Sequence, residues 1–284
     1  MGLLVGLPVV LSEGQVRVAD GVRLAVRERS PRARTGRTVV LVHGLASTSR
    51  LWDGVAAELA DAGVRSIAVD LRGHGESDAP DHGYDTATAA ADVITLIGQV
   101  SDEPVVLAGQ SWGGNVVVAV AATRPDLVSG LALVDGGWIT LRSKFSSWQD
   151  ALAALTPAEI DGLPAEHFEA MVASSLTGFP PGSVDAATSV VRVDGDGTIR
   201  RRLLVRRHLQ ILRSMWDESP ERWYPRVAAP SVLMPATVGD EVDPDVATAR
   251  RSLPSARLRA YPGAHHDIHL QRPREVADDI RSLL

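Results

Sequence analysis

Pro104-Val105-Val106-Leu107-Ala108 runs into Gly109-Gln110-Ser111-Trp112-Gly113, and Gly114 opens an apolar stretch that lasts to Thr123. The first run reads as an apolar strand. The stretch 113–123 reads as a helix that ends before Pro125. Between them, G-x-S-x-G forces a serine into a sharp strand-to-helix turn. The flanking glycines are explained by crowding, because neighbours in so tight a turn have no room for a Cβ. Gly114 extends the small surface and lets the helix lie close to the sheet. The turn lifts the Ser111 hydroxyl into the crevice beyond the carboxyl ends of the strands, where open α/β sheets bind ligands.

Working outward, short β-rich runs alternate with helical patterns, which predicts an α/β fold with a mostly parallel sheet and helices on both faces. Strands are expected at 15–18 and 22–28 around the turn signal Asp20-Gly21, then at 38–42, 65–69, 104–108 and 130–134. Helices are expected at 52–62, with a cap among Ser47, Thr48 and Ser49, and at 86–100. The alternation stops at Trp138 and resumes with a strand at 231–234, a helix at 245–253, a strand at 257–261 and a helix at 273–284. Between lie helix-like stretches at 151–155, 164–175 and 203–216. Asp194-Gly195-Asp196-Gly197 reads as a hairpin turn and does not fit the EF-hand spacing. The expected organisation is a core of 1–137 and 223–284 carrying a mainly helical insertion, 138–222. With 284 residues, 45% of them hydrophobic, the chain can bury a core of that size.

A serine hydroxyl is a weak nucleophile and needs a base. The loop Tyr261-Pro262-Gly263-Ala264-His265-His266-Asp267-Ile268-His269-Leu270 holds three of the eight histidines. It falls between the last strand and the last helix. His43, His74, His82, His167 and His208 are read as structural or solvated.

With these pieces the chain resembles the α/β-hydrolase superfamily, in its capped serine-esterase branch. The resemblance rests on His43-Gly44-Leu45, on Asp70-Leu71-Arg72-Gly73-His74-Gly75-Glu76-Ser77, on the Ser111 turn, and on Gly263 to Pro273. It covers almost all of the chain outside the insertion. It implies a nucleophilic Ser111 and, aligned on His269-Leu270-Gln271-Arg272-Pro273, a basic His266 rather than His265. His269 would pack beneath the loop. The amides of Leu45 and Trp112 would form the oxyanion hole, and His74 would be structural. The acid that orients the base has three candidates. Asp135 in Leu133-Val134-Asp135-Gly136-Gly137 lies at a strand's carboxyl end. Asp240 and Asp243 lie nearer the family's usual position, with imperfect spacing.

The insertion and its margin hold Trp138, Phe145, Trp148, Phe168, Phe179, Met215, Trp216 and Trp223. This suggests an apolar pocket, with Trp138 and Trp216 as its candidate walls, alongside residues that form the insertion's own core. The implied activity is that of a carboxylesterase-like hydrolase cleaving an ester-type bond of a largely apolar small molecule. Lactone, thioester or C–C bond hydrolysis, lyase or perhydrolase chemistry, and a ligand-binding relative remain open alternatives. No metal or cofactor is expected. The absence of cysteine excludes thiolate catalysis and Cys-ligated zinc. A net charge of -6 argues against a nucleic-acid partner. The apolar start, 1–11, lacks a basic flank and is too short to span a bilayer, so a cytoplasmic monomer or homodimer without membrane attachment is expected.

Overall fold

A computed structural model describes residues 10–31, 37–239 and 241–284. Most of the apolar start and Asp240 therefore lie outside the described residues.

The strands β1 (Val10–Arg17) and β2 (Arg23–Ser30) form an antiparallel hairpin. Its turn has Asp20 at φ 57° and Gly21 at φ 74°. The strands run past the sequence expectation, β1 by exposed residues from Val10 to Gly14 and β2 by the half-buried polar pair Arg29 and Ser30, and neither extension carries an apolar alternation. The parallel core follows as β3 (Thr38–Val42), α1 (Asp53–Asp61), β4 (Arg65–Val69), α2 (Thr86–Val100), β5 (Val105–Gln110), α3 (Trp112–Thr123) and β6 (Val128–Val134). Between β6 and the next strand of the large sheet stand α4 (Leu141–Lys144), α5 (Trp148–Leu155), α6 (Ala165–Ser175), α7 (Ser183–Thr188), the hairpin β7 (Val191–Val193) and β8 (Ile199–Arg201), and α8 (Val205–Asp217). The Asp194–Gly197 stretch turns that hairpin, with Asp194 N–H donating to the Thr198 carbonyl at 2.8 Å. The chain then gives β9 (Ser231–Met234), β10 (Ala236–Thr237), α9 (Pro244–Ser252), β11 (Arg257–Leu258), β12 (Tyr261–Pro262), α10 (Ile268–Gln271) and α11 (Pro273–Arg281).

The eight-stranded sheet has the order β1-β2-β4-β3-β5-β6-β9-β11, parallel from β4 to β11. Strand residues alternate between two buried layers. Val39, Leu41, Ala108 and Val134 face α1 and α11 through Val55, Leu59, Val276 and Ile280. Val40, Val42, Leu107 and Leu133 face the other way, toward Val93 of α2 and Val117 of α3. The predicted strand at 257–261 is split into β11 and β12, because after Leu258 the chain leaves the large sheet to pair with β10. Among the described residues no helix is long and apolar enough to cross a membrane.

Candidate active site

Ser111 caps α3 with φ 54° and ψ −125°, a region that favours glycine and that a side chain enters only under strain. The surroundings hold it there. Its N–H donates to the Val134 carbonyl at 3.0 Å, and its carbonyl accepts from Gly114 N–H at 2.9 Å. A Cβ on Gly109 would collide with the Gly113 carbonyl, and one on Gly136 would collide with the Ser111 backbone. The contact with Gly136 brings the end of β6 against the turn after β5.

Asp135 leaves β6 at that point, itself at φ 41°. Its N–H donates to the Met234 carbonyl at 2.9 Å. Oδ1 accepts from Ala236 N–H at 3.0 Å, and Oδ2 lies 2.6 Å from His266 Nδ1. A carboxylate can only accept, so Nδ1 carries the proton and Nε2 is left as the basic nitrogen. The His266 side chain is 49% exposed and that of Asp135 19%. Desolvation pulls the imidazole pKa down. The Asp135 hydrogen bond and charge, joined by the Asp267 carboxylate, outweigh it and hold the pKa above its ordinary 6.5.

Gln110, a variable position of the G-x-S-x-G pattern, is buried, and its Nε2 donates to the His266 carbonyl and to Asp267 Oδ1, both at 3.3 Å. It ties the Ser111 turn to the histidine loop. The only sequence signal was an amide at a core position. His265 points elsewhere: its Nδ1 accepts from Asp267 N–H at 3.1 Å, and its ring meets Phe179 edge-on.

The other acid candidates fare differently. Asp243 is engaged with partners other than the histidine. It caps α9, with Oδ1 accepting from Asp245 N–H at 2.9 Å, and its Oδ2 pairs with Lys144. Asp240 lies outside the described residues.

Trp112 follows Ser111 in the chain, and Leu45 follows Gly44, where an added Cβ would meet Ser111. Neither amide donates to a protein acceptor among the described residues, although Trp112 begins a helix and Leu45 is half-buried. The loop around Leu45 is fixed by the Asp70–Ser77 segment. Asp70 Oδ1 accepts from Ser49 N–H at 2.6 Å and Oδ2 from Glu76 N–H at 2.9 Å. His74 Nε2 accepts from Ala46 N–H at 3.3 Å, and His43 Nε2 from Leu71 N–H at 3.0 Å. Burial drives the His43 pKa to about 4 and the His74 pKa to about 3, so both serve as neutral acceptors. His269 is fully buried against Trp52, ring centroids 4.5 Å apart, and burial lowers it to about 4. Arg72 makes a bidentate buried pair with Asp92 at 2.6 and 2.7 Å.

Trp138 and Trp216 are 5% and 8% exposed and join the larger core cluster. Trp216 packs edge-on to Trp148 at 6.0 Å, under the Arg142 guanidinium. Ile139, one residue past Trp138, is clamped by Asn115 of α3. The Asn115 Nδ2 donates to its carbonyl at 2.9 Å and Oδ1 accepts its N–H at 3.3 Å. Tyr224 O–H donates to the Gly137 carbonyl at 2.9 Å. A separate groove of about 1160 Å³ lies away from Ser111, between the β1–β2 hairpin and α7. Its four arginines are already paired, Arg27 with Asp53, Arg50 with Asp185, Arg192 with Asp194 and Arg202 with Glu76.

Such a sheet, with a serine at the tip of β5 and a histidine–aspartate pair tied to the same turn through Gln110, is the architecture of an α/β hydrolase. Residues 37–273 match the family model described as alpha/beta hydrolase fold, and the chain belongs to that family. It is 35% identical to the 2-(acetamidomethylene)succinate hydrolase of Mesorhizobium japonicum over 40% of this chain and 39% of that protein. It is 26% identical to the sn-1-specific diacylglycerol lipase of Mus musculus over 87% of this chain and 80% of the lipase. Several curated relatives are matched over only 36% to 42% of their length. Among solved structures, E-2-(acetamidomethylene)succinate hydrolase superposes with a TM-score of 0.79, at 24% identity over 96% of this chain and 99% of that one. An esterase from Exiguobacterium antarcticum superposes with a TM-score of 0.73, at 21% identity over 95% and 98%. At these identities the superpositions speak to fold alone.

Proposed function

We propose that the chain is a serine hydrolase that cleaves an ester-type bond of a largely apolar small molecule. In this reading Ser111 attacks the carbonyl carbon while His266 Nε2 takes its proton. Asp135 holds the tautomer and stabilises the imidazolium. The amides of Leu45 and Trp112 bind the oxyanion. His266 then protonates the leaving alcohol, and water attacks the acyl-enzyme with His266 again as base. The segment 138–222 acts as a cap, and its apolar residues accommodate the substrate's apolar part. No metal or cofactor enters the scheme.

The observation that carries the reading is the 2.6 Å contact between Asp135 Oδ2 and His266 Nδ1, beside a serine held at φ 54°. Both nearby features, the Gly136 packing and the Gln110 bridge, support the same grouping of residues. The test is hydrolysis of p-nitrophenyl esters of short and medium acyl chains, with Ser111→Ala as control. Turnover lost in Ser111→Ala supports the reading. Failure to hydrolyse any such ester, together with failure of a fluorophosphonate to label Ser111, overturns it.

A further inference from the structure

Trp112 follows Ser111, and its side chain is 1% exposed. An indole N–H is a donor only, so when buried it needs an acceptor. The acceptor is Thr86 Oγ1, at 3.1 Å. Thr86 is the first residue of α2, where backbone N–H groups have no partner inside the helix. Its N–H donates to Ser214 Oγ at 3.0 Å, and Ser214 Oγ reaches Thr86 Oγ1 at 3.4 Å. Ser214 lies on α8, the last helix of the insertion, and both hydroxyl residues are buried. Three segments far apart in sequence thus meet in one closed set of hydrogen bonds behind the Ser111 turn.

The same helix is anchored to the core. Ile211, Leu212 and Met215 join the larger core cluster, and Arg207 donates to the Ala79 carbonyl. By contrast α6 exposes most of its surface, Met171 included. So α8 has the contacts of a fixed wall.

We infer that Thr86 and Ser214 are positioning residues for the oxyanion side of the site, acting through the Trp112 indole. The inference rests on the serine-hydrolase reading above. The Ser111–Trp112 peptide follows a strained residue, so its amide direction depends on what holds the residues on either side. Gly136 and Gly114 fix Ser111. The Thr86–Ser214 pair fixes Trp112. An oxyanion donor tilted by more than about 10–20° loses much of its effect, and an unpinned indole permits such a tilt.

The test measures two quantities, each well below the melting temperature of every variant: the rate at which a fluorophosphonate labels Ser111, and kcat and KM on p-nitrophenyl esters. Thr86→Val keeps the side-chain shape and removes the acceptor. Ser214→Ala removes the second hydroxyl and still reports should Thr86→Val fold poorly. The expected result is a roughly tenfold fall in labelling rate and kcat for Thr86→Val, with KM changed less than about twofold. Thr86→Ser should restore both. Thr95→Val, on the exposed side of the same helix, should match wild type. Wild-type labelling and kcat in both Thr86→Val and Ser214→Ala would overturn the inference while leaving the hydrolase reading intact. A loss that Thr86→Ser does not restore would also overturn it. A wild-type protein whose Ser111 is never labelled would instead remove the reading on which the inference stands.

Discussion

Replacing Asp135 by Asn tests the site at its most specific contact. Oδ1 of Asp135 accepts from Ala236 N–H at 3.0 Å. An Asn side chain keeps that bond only if its carbonyl oxygen takes the Oδ1 place. The amide nitrogen then faces His266 Nδ1, where Asp135 Oδ2 stood at 2.6 Å. A donor in that position requires Nδ1 to accept, which moves the imidazole proton to Nε2 and removes the base. A wrong tautomer of this kind lowers turnover by roughly 10⁴, which is about 5.4 kcal/mol of transition-state stabilisation. The charge has a second consequence. In the wild type the pKa of His266 is raised, so kcat/KM should rise with pH through a midpoint above 6.5. Without Asp135, burial is opposed by Asp267 alone, and the residual activity should show a lower midpoint. Stability follows the same linkage. A raised histidine pKa contributes stability that is complete below 6.5 and lost as pH rises through the folded-state value. Asp135→Asn should remove that loss from a plot of melting temperature against pH. The assays are a pH–rate profile on a p-nitrophenyl ester and thermal melts across pH 5 to 9. A variant that keeps a tenth of the activity, with its midpoint unmoved, would refute the reasoning.

Three further outcomes are expected. Ser111→Gly should abolish turnover yet stabilise the fold by about 1 kcal/mol, because glycine adopts φ 54° without strain; a lower melting temperature would contradict this. Arg72→Met should destabilise by about 3–5 kcal/mol in denaturant titration, since it strands the Asp92 carboxylate in the core; a loss under about 1 kcal/mol would show that the pair is dispensable. Lowered pKa values at His43, His74 and His269 mean that the unfolded chain binds more protons below pH 6.5, so stability should fall as pH falls from 6.5 toward 4. With all three contributing, the slope approaches about 4 kcal/mol per pH unit, and a melting temperature flat over that range would contradict the assignment.

The strands at 38–42, 65–69 and 231–234 and the helix at 86–100 were legible to the residue, because each is a clean apolar run or a 3.6-residue pattern. The Ser111 turn was legible because its glycines are dictated by local crowding. The contact between Asp135 and His266 was legible only in part: Asp135 stood first of three candidate aspartates, and what brings it to the histidine is the sheet order that puts β6 beside β5. Gln110, Thr86 and Ser214 were invisible for the same reason. Each is an ordinary polar residue whose partner lies far away in sequence, 128 positions in the case of Thr86 and Ser214. The edge strand β1 was underestimated because an exposed edge needs no apolar alternation.

The Asn115 clamp has a consequence for how this protein can be rebuilt. Four residues past Asp135, both backbone groups of Ile139 are gripped from α3. Tyr224 grips Gly137 from the returning side. Strain arriving from beyond Thr140 is therefore absorbed before it reaches the carboxylate. The natural seam for exchanging this region with that of another family member lies inside the clamp, after Ile139 and before Tyr224. A graft cut closer to Asp135 would leave the aspartate tethered to whatever the new segment pulls on.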